Sequence, residues 1–530
     1  MKRNSISNRE NRFRPLLGVA LMCLVAGWCA SCQDVWENHY DPSGQQNASD
    51  KTLWEEICAH PELASFRALL EQTGSSALLD ADQMFTVFAP QGAIDSEGLS
   101  AAAIESEIIG NHVARFAHSA SPSLKDPENM LMLNNKRGTF AFDGSTYTFT
   151  GQPLVQKNII CKNGVLHMVA GQVPFFSNVW EYMSKSPDYS SICDYLYSFD
   201  ELVLDEESSV AGAVVDGKIT YVDSVTVNYN EMLYRLGRLN DEDSTYYMIL
   251  PTNAAWEKAV KTISGYYTYP YKNTKRDSLQ AHFTQRAMVD NLVFSASMQH
   301  SPADSVVSTT KNVFYRPFET LLPEYAGFDS GVECSNGRVF PVDTLRHHAW
   351  ESWHTRLKVE GEETRGREYT SSELYRRTLN ASSPFYGRLS GNTYLEAIPT
   401  TSSANPNVTF TVANTLSAKY DIKVVFLPQT LSTDRENVGK PNNVQCTLYY
   451  VDENGKSTNV KSGTVNPDPD HIDTLTIFSA FAFPACEYAE EVPNVKLKLA
   501  SSVSSKQRAS YSRTLLVDCV ILEPTKETEE

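Results

Sequence analysis

The 530-residue chain has little of what defines several whole classes of protein. Beyond residue 32 it has no apolar run near the roughly 20 residues that cross a bilayer as a helix, so its body has no helical membrane span. Positive charge is scarce: 46 Lys and Arg stand against 64 Asp and Glu, a net charge of −18. That balance excludes nucleic acid as an expected partner and disfavours anionic lipid surfaces. Cysteines past residue 32 (Cys58, Cys161, Cys193, Cys334, Cys446, Cys486 and Cys519) are widely spaced, with no CxxC pair and no Cys/His cluster. A zinc site is therefore not expected. They read as buried free thiols, with one disulfide of open pairing as the alternative in an exported protein. G-x-S-x-G, H-E-x-x-H, P-loop and Rossmann fingerprints are missing. Without a nucleophile and its base, a carboxylate frame or a metal triad, no enzyme activity is expected.

What is present begins at the N-terminus. Lys2, Arg3, Arg9, Arg12 and Arg14 precede an apolar run from Leu16 to Ala30. The run is too short to span a bilayer and has the charge and length of a secretory signal. It ends in Cys29-Ala30-Ser31-Cys32. Small residues just before a cysteine resemble the lipobox of bacterial lipoproteins, although Cys29 stands where Leu is usual. The resemblance implies removal of residues 1–31 and lipid on Cys32. An ordinary secretory signal cut near Ala30-Ser31 is the competing reading. Two or more acyl chains hold a protein on a membrane stably, and lipoprotein cysteines carry them. The polar stretch that follows, through residue 49, reads as a tether. The acidic Gln33-Asp34 after the cysteine favours the cell surface.

The rest is long for one core, and roughly two to four domains are expected. Leu53, Ile57, Leu63, Phe66, Leu69 and Leu70 have helical spacing, interrupted at Pro61. Met84-Phe85-Thr86-Val87-Phe88-Ala89-Pro90 reads as a buried strand stopped by proline, and Asn163-Gly164-Val165-Leu166-His167-Met168-Val169 as a strand entered by a tight Asn-Gly turn. Both landmarks recur. Tyr246-Tyr247-Met248-Ile249-Leu250-Pro251-Thr252-Asn253 repeats the first, and Asn336-Gly337-Arg338-Val339-Phe340-Pro341-Val342 repeats the second. The period is too long for a solenoid, so two tandem globular units are expected, over 50–175 and 177–346. The second carries insertions: a hairpin from Val210 to Tyr229 turning at Asp216-Gly217, and a loop holding Tyr266, Tyr267, Tyr269 and Tyr271.

Those landmarks resemble the two signature boxes of fasciclin domains, with Asn111-His112 standing where the family has Tyr-His. The resemblance implies two α+β domains, each a small β-sandwich wedge with helices on one side. His112 and His167 then read as structural core histidines.

A linker is expected over 347–356, rich in His and Trp, before an all-β sandwich over 357–525. Short alternating strands at Leu357–Glu360, Val408–Val412, Asp421–Leu427, Cys446–Val451, Thr474–Phe478, Val495–Leu499 and Leu515–Leu522 carry that reading. Val359-Glu360-Gly361-Glu362 and Leu516-Val517-Asp518-Cys519-Val520-Ile521-Leu522 resemble the first and last strands of jelly-roll carbohydrate-binding modules. Such modules often hold a structural calcium between those strands, which makes Glu360, Glu362 and Asp518 candidate oxygen ligands. Along a strand Glu360 and Glu362 share a side. A solvated charge pair is the competing reading, and no other cofactor is expected.

Sugar binding needs aromatic faces with polar groups at their edge. Tyr266, Tyr267, Tyr269 and Tyr271 form one candidate platform, Trp350 and Trp353 another. Packing of the loop, and interdomain packing of the tryptophans, compete with that reading. A lipid tether, two fasciclin-like modules and a sandwich resemble lipoproteins of Gram-negative glycan-uptake systems. This implies an outer-membrane, surface-facing accessory that binds polysaccharide or oligosaccharide beside a transporter and its glycan-binding lipoproteins. A cell-surface adhesin or scaffold docking on the transporter is the alternative.

Overall fold

The computed structural model describes residues 49–526, apart from 122, 123, 125, 216, 217, 299–304, 323, 326, 327, 436 and 437. The signal, Cys32, nearly all of the tether and the Asp216-Gly217 turn lie outside the described residues. The chain divides into two compact units, Met1–Phe176 and Ser177–Glu530.

In the first unit, helix Leu53–Ala59 starts at a capping box: the Thr52 hydroxyl accepts from Glu55 N–H, and the Glu55 carboxylate accepts from Thr52 N–H. Pro61 opens the single turn Pro61–Leu63, and helix Ala64–Thr73 ends at the left-handed Gly74. These helices bury Leu53, Ile57, Leu63, Phe66 and Leu70 against Phe85, Val87, Ala89, Leu166 and Met168. Strand Phe85–Pro90 runs parallel to Gly164–Val169 and antiparallel to Val113–Arg115. From Gly164–Val169 the sheet continues through Gln152–Cys161, Tyr147–Phe149 and Arg137–Phe142 to Glu128–Leu131. Phe88 points to the other face, where its ring stacks on Phe149 at 3.9 Å and meets Phe140 at 5.5 Å. Burial on both faces explains why Phe85–Pro90 reads as an unbroken apolar run rather than an alternating one.

The Asn-Gly landmark works differently from a tight turn. Cys161 pairs with Gly164, so Lys162-Asn163 makes the turn and Gly164 opens the strand. Asn163 is buried: its Oδ1 accepts from Leu53 N–H at 2.8 Å, and its Nδ2 donates to Leu79 O at 2.8 Å and Ala81 O at 2.7 Å. One side chain ties the helix start, a distant loop and the sheet together. Gly164 has φ +150, and a Cβ there would lie 2.0 Å from Phe85 O. Only glycine lets the two strands approach at that point.

The second unit repeats this plan. Tyr246–Pro251 runs parallel to Gly337–Val342, flanked by antiparallel Val293–Ser295 and Val332–Cys334. Asn178 and Glu181 form a capping box on helix Val179–Ser184. Asn336 Oδ1 accepts from Val179 N–H at 2.8 Å, and its Nδ2 donates to Leu239 O at 2.8 Å and Asp241 O at 2.9 Å. Gly337 has φ +147, with Tyr246 O 1.8 Å from a Cβ. The insertion is a β-ribbon of two successive antiparallel pairs, Asp200–Leu204 with Thr226–Asn230 and Val210–Val215 with Lys218–Asp223. Each of these strands has one partner among the described residues.

The C-terminal part is a β-sandwich. One sheet holds Ser372–Thr378, Thr393–Pro399, Leu515–Pro524, Lys419–Phe426 and Asp473–Ala482 in spatial order, with Leu357–Glu360 also on Leu515–Pro524. The other holds Glu368–Thr370, Asn407–Thr411, Lys496–Ser501, Val444–Val451 and Ser457–Val465. Their inner faces bury Phe410, Ile422, Val424, Leu448, Leu497 and Val520, among others. The molecule is thus multidomain, α+β followed by a sandwich. Four strands absent from the sequence expectation, Glu368–Thr370, Ser372–Thr378, Thr393–Pro399 and Ser457–Val465, complete it. All seven cysteines past residue 49 are free, and only Cys58 is exposed.

Candidate functional site

Helix Asn253–Ser264 starts where the Thr252 hydroxyl accepts from Ala255 N–H, and it runs into the single turn Gly265–Tyr267. Ala255, Lys258, Ala259, Thr262 and Tyr266 recur at three- and four-residue steps and share one side of this segment. Small Ala255 and Ala259 leave room on that side. Facing it are residues 344–354 and the sandwich residues Ser417–Lys419, Ala482, Phe483 and Thr525. Together they enclose a cavity of about 660 Å³ lined by Tyr266, Trp350 and Trp353, within the range of roughly 300–1,000 Å³ common for small-ligand sites.

Three of the six expected sugar-binding aromatics therefore converge on one cavity. Tyr266 meets Trp353 edge to face at 6.0 Å, and Trp350 stacks on His348 at 4.5 Å with Lys526 Nζ 5.6 Å from its ring centre. Thr262, Asn291, Ser417 and the two lysines Lys258 and Lys419 supply polar groups on the lining. The indole N–H of Trp353 is buried without a hydrogen-bond partner.

The other three aromatics do different work. Tyr267 and Tyr269 are each 3 % exposed, which leaves no ring face for a sugar. They sit in the core of the second α+β region, beside the sandwich residues Leu416 and Cys486. Tyr269 Oη donates to Tyr488 O at 2.8 Å, and Tyr267 meets the Tyr488 ring edge to face at 5.5 Å. Tyr271 is exposed, with the Arg276 guanidinium 4.6 Å from its ring centre, and does not line the cavity. The tyrosine loop is a clamp: Ser417 N–H donates to Tyr266 O, Cys486 N–H to Thr268 O, and Tyr271 N–H to Glu453 O, at 2.7–3.0 Å. Residues 347–356, expected as a linker, pack closely. His347 lies against Phe314 and hydrogen-bonds Asn291 O, while Ser352 and His354 are buried.

The three carboxylates expected to hold calcium do not form one cluster. The strand ends at Glu360, and Gly361-Glu362 turns, which breaks the alternation that would set Glu360 and Glu362 side by side. Glu360 accepts from Ser390 Oγ at 2.6 Å and pairs with Lys358 at 2.8 Å, and Asp518 accepts from Ser390 N–H at 3.2 Å. Glu362 instead accepts from the Thr393 hydroxyl. Among the described residues no group of three His, Cys, Asp or Glu is placed to hold a metal ion. Glu360 and Glu362 line a second cavity of about 650 Å³ with Arg367, Tyr369 and Arg376, and the Oε2 atom of each glutamate is buried without a hydrogen-bond partner. Asp518 is 5 % exposed, and burial pushes its pKa up to about 6.

His112 and His167 are fully buried and satisfied. His112 Nδ1 donates to Ile108 O at 2.8 Å and Nε2 accepts from Val173 N–H at 3.0 Å; His167 Nε2 donates to His118 O at 3.0 Å. Burial lowers both pKa values to about 4, so both rings are neutral at physiological pH.

No curated protein matches the chain. Among solved structures, a FAS1 domain pair from the insect cell adhesion molecule fasciclin I is 14% identical, covering 55% of this chain and 98% of its own, with a TM-score of 0.19. The CBM22-1 xylan-binding domain from Paenibacillus barcinonensis Xyn10C is 16% identical, covering 32% of this chain and 95% of its own, with a TM-score of 0.21. The family model described as Fasciclin domain matches residues 61–171, within the first unit.

Proposed function

We propose that this chain is a non-catalytic glycan-binding protein of the cell envelope, held through lipid on Cys32 at the outer membrane, facing the surface. In this reading it serves polysaccharide uptake beside a transporter and its glycan-binding lipoproteins. The aromatic cavity of the second unit carries the reading. Tyr266, Trp350 and Trp353 converge on a space of ligand size with hydroxyl, amide and ammonium groups on its lining. Aromatic faces pack on the apolar faces of sugar rings while polar groups take the hydroxyls. Affinity gels cast with a panel of polysaccharides test it on the chain without its leader. Retardation by at least one polysaccharide, lost in Trp350→Ala, is expected; no retardation by any, with folding intact, removes the reading. Protease shaving of intact cells tests the surface location.

A specific feature supports the second reading, a scaffold docking on a protein partner. The β-ribbon at 200–230 exposes Leu202 at 77 % and Val222 at 80 %, with Val214 and Ile219 beside them, and both outer edges lack a strand partner among the described residues. Exposed apolar edges attract added strands. Asp200, Glu201, Asp205, Glu206, Glu207 and Asp223 against Lys218 select a partner strand bearing basic residues and oppose self-pairing. Co-purification with the transporter from detergent-solubilised membranes, lost in Val214→Asp/Val222→Asp, is the expected result; retention in that variant removes this role for the ribbon.

A further inference from the structure

The five-stranded sheet of the sandwich buries one face in the core and turns the other outward. Side chains alternate along each strand, so the residues next to the buried Val408, Phe410, Leu448, Leu497 and Leu499 share the outward face. Strand pairing sets them in rows. One row runs Glu368, Thr409, Lys498, Thr447, Lys461, across all five strands. In the next, Lys496 stands beside Tyr449. Three lysines thus meet one carboxylate, although acidic residues outnumber basic ones 64 to 46 in the chain. Glu368 reaches Lys496 and pairs with it. Lys461 and Lys498 form no ion pair among the described residues. Neighbouring strands lie about 4.8 Å apart, so Lys498 and Lys461, two strands apart, are rooted about 10 Å from each other. Lys496 is rooted about 7 Å along the strand from Lys498. Tyr449 and Lys461 are exposed, and Lys496 and Lys498 half-buried.

From this geometry we propose that the outward face of the sheet binds an anionic polysaccharide, one bearing uronate or sulfate groups, laid across the strands. The inference takes its ligand class from the glycan reading above, but it assigns a second site, away from the aromatic cavity. Lys461 and Lys498 take the carboxylate or sulfate oxygens, and the Tyr449 ring takes the apolar face of a sugar. A single exposed ion pair is weak, so a lone anion is held poorly. A chain with repeated anionic groups engages several ammonium groups at once, each contact raising the effective concentration of the next. The acidic remainder of the molecule does not cancel this face, because charges farther than a Debye length, about 8 Å at physiological ionic strength, are largely screened. An anionic lipid surface fits less well. Three lysines fall short of the roughly four to eight basic residues of a lipid-binding cluster.

Affinity gels cast with polygalacturonate, chondroitin sulfate or neutral xylan test the inference on the chain without its leader. Retardation by an anionic polymer is expected. Lys461→Gln/Lys498→Gln is expected to weaken it roughly two- to thirtyfold, the range two exposed ion pairs supply. Trp350→Ala, which reports on the cavity, is expected to leave it unchanged. Added salt weakens the wild type in the same direction as the lysine variant. Lys461→Gln alone, at an exposed position on an edge strand, gives part of the loss without disturbing packing. Which anionic polymer retards the chain tells uronate from sulfate. Anionic retardation that survives the double lysine variant overturns the inference and leaves the glycan reading standing. So does retardation by xylan alone. Lysine-dependent binding to phosphatidylcholine vesicles doped with phosphatidylglycerol, with no retardation by either anionic polymer, overturns it in favour of a lipid surface. No retardation by any polysaccharide overturns both readings.

Discussion

At the scale of single residues, a few buried polar groups set much of the stability. Asn163 and Asn336 each join three backbone groups from distant segments. Replacing Asn163 with Ala leaves the Leu53 N–H and two carbonyls without that partner. A loss of roughly 3–5 kcal/mol is expected, measured by urea unfolding, with Asn336→Ala acting likewise on the second unit. The histidines add a pH dependence. His112 and His167 have folded pKa values near 4, below the unfolded value of about 6.5, so their stabilising neutral forms are complete above about pH 6.5. As pH falls from there to 4, each is expected to cost the first unit roughly 2–3 kcal/mol, read as a falling Tm. Asp518 runs the other way. Its folded pKa is raised to about 6, so burial of the charged form costs stability as pH rises from about 4 through 6. Asp518→Asn is expected to raise stability above pH 6 by roughly 1–3 kcal/mol, the gain vanishing below about pH 4. The same pair checks the cation question: if millimolar calcium raises the Tm of wild type and not of Asp518→Asn, the first and last strands hold a cation after all.

Elements were legible to the degree that their burial was uniform. Phe85–Pro90 and Tyr246–Pro251 are buried almost throughout, and their unbroken apolar runs ending in proline stand out in the sequence. The missed strands are of two kinds. Glu368–Thr370, Ser372–Thr378 and Ser457–Val465 lie on sheet edges with mostly exposed or half-exposed side chains, so they lack an apolar stripe. Thr393–Pro399 is buried, but it holds Glu396, fully buried against Arg377 at 2.7 Å, which masks it. The Asn-Gly pairs were visible as landmarks while their purpose was not, because the reason for glycine is a strand that closes in from far along the chain. Gly164→Ala is expected to abolish cooperative folding of the first unit, since the new Cβ meets backbone and not a movable side chain. Circular dichroism melts of this variant beside the wild type check it.

At the scale of the whole molecule, the second α+β region and the sandwich form one compact unit, with Leu416 and Cys486 of the sandwich buried in the core of the α+β region. Calorimetry is expected to resolve two unfolding transitions, one for each compact unit, rather than three. Tyr269→Ala, which empties a site in that core, is expected to lower only the second unit's transition, by roughly 3–5 kcal/mol. By itself the sequence determined the order of parts, the duplicated strand pair, the excess of acid and the character of the last region, because these follow from local pattern and composition. It also singled out Tyr266, Trp350 and Trp353, but not from Tyr267, Tyr269 and Tyr271 beside them. Only the tertiary structure decided which rings are core and which line a cavity. Lys258 and Lys419 joined them for the same reason: residues more than 150 positions apart become neighbours only when the sandwich packs on the helix.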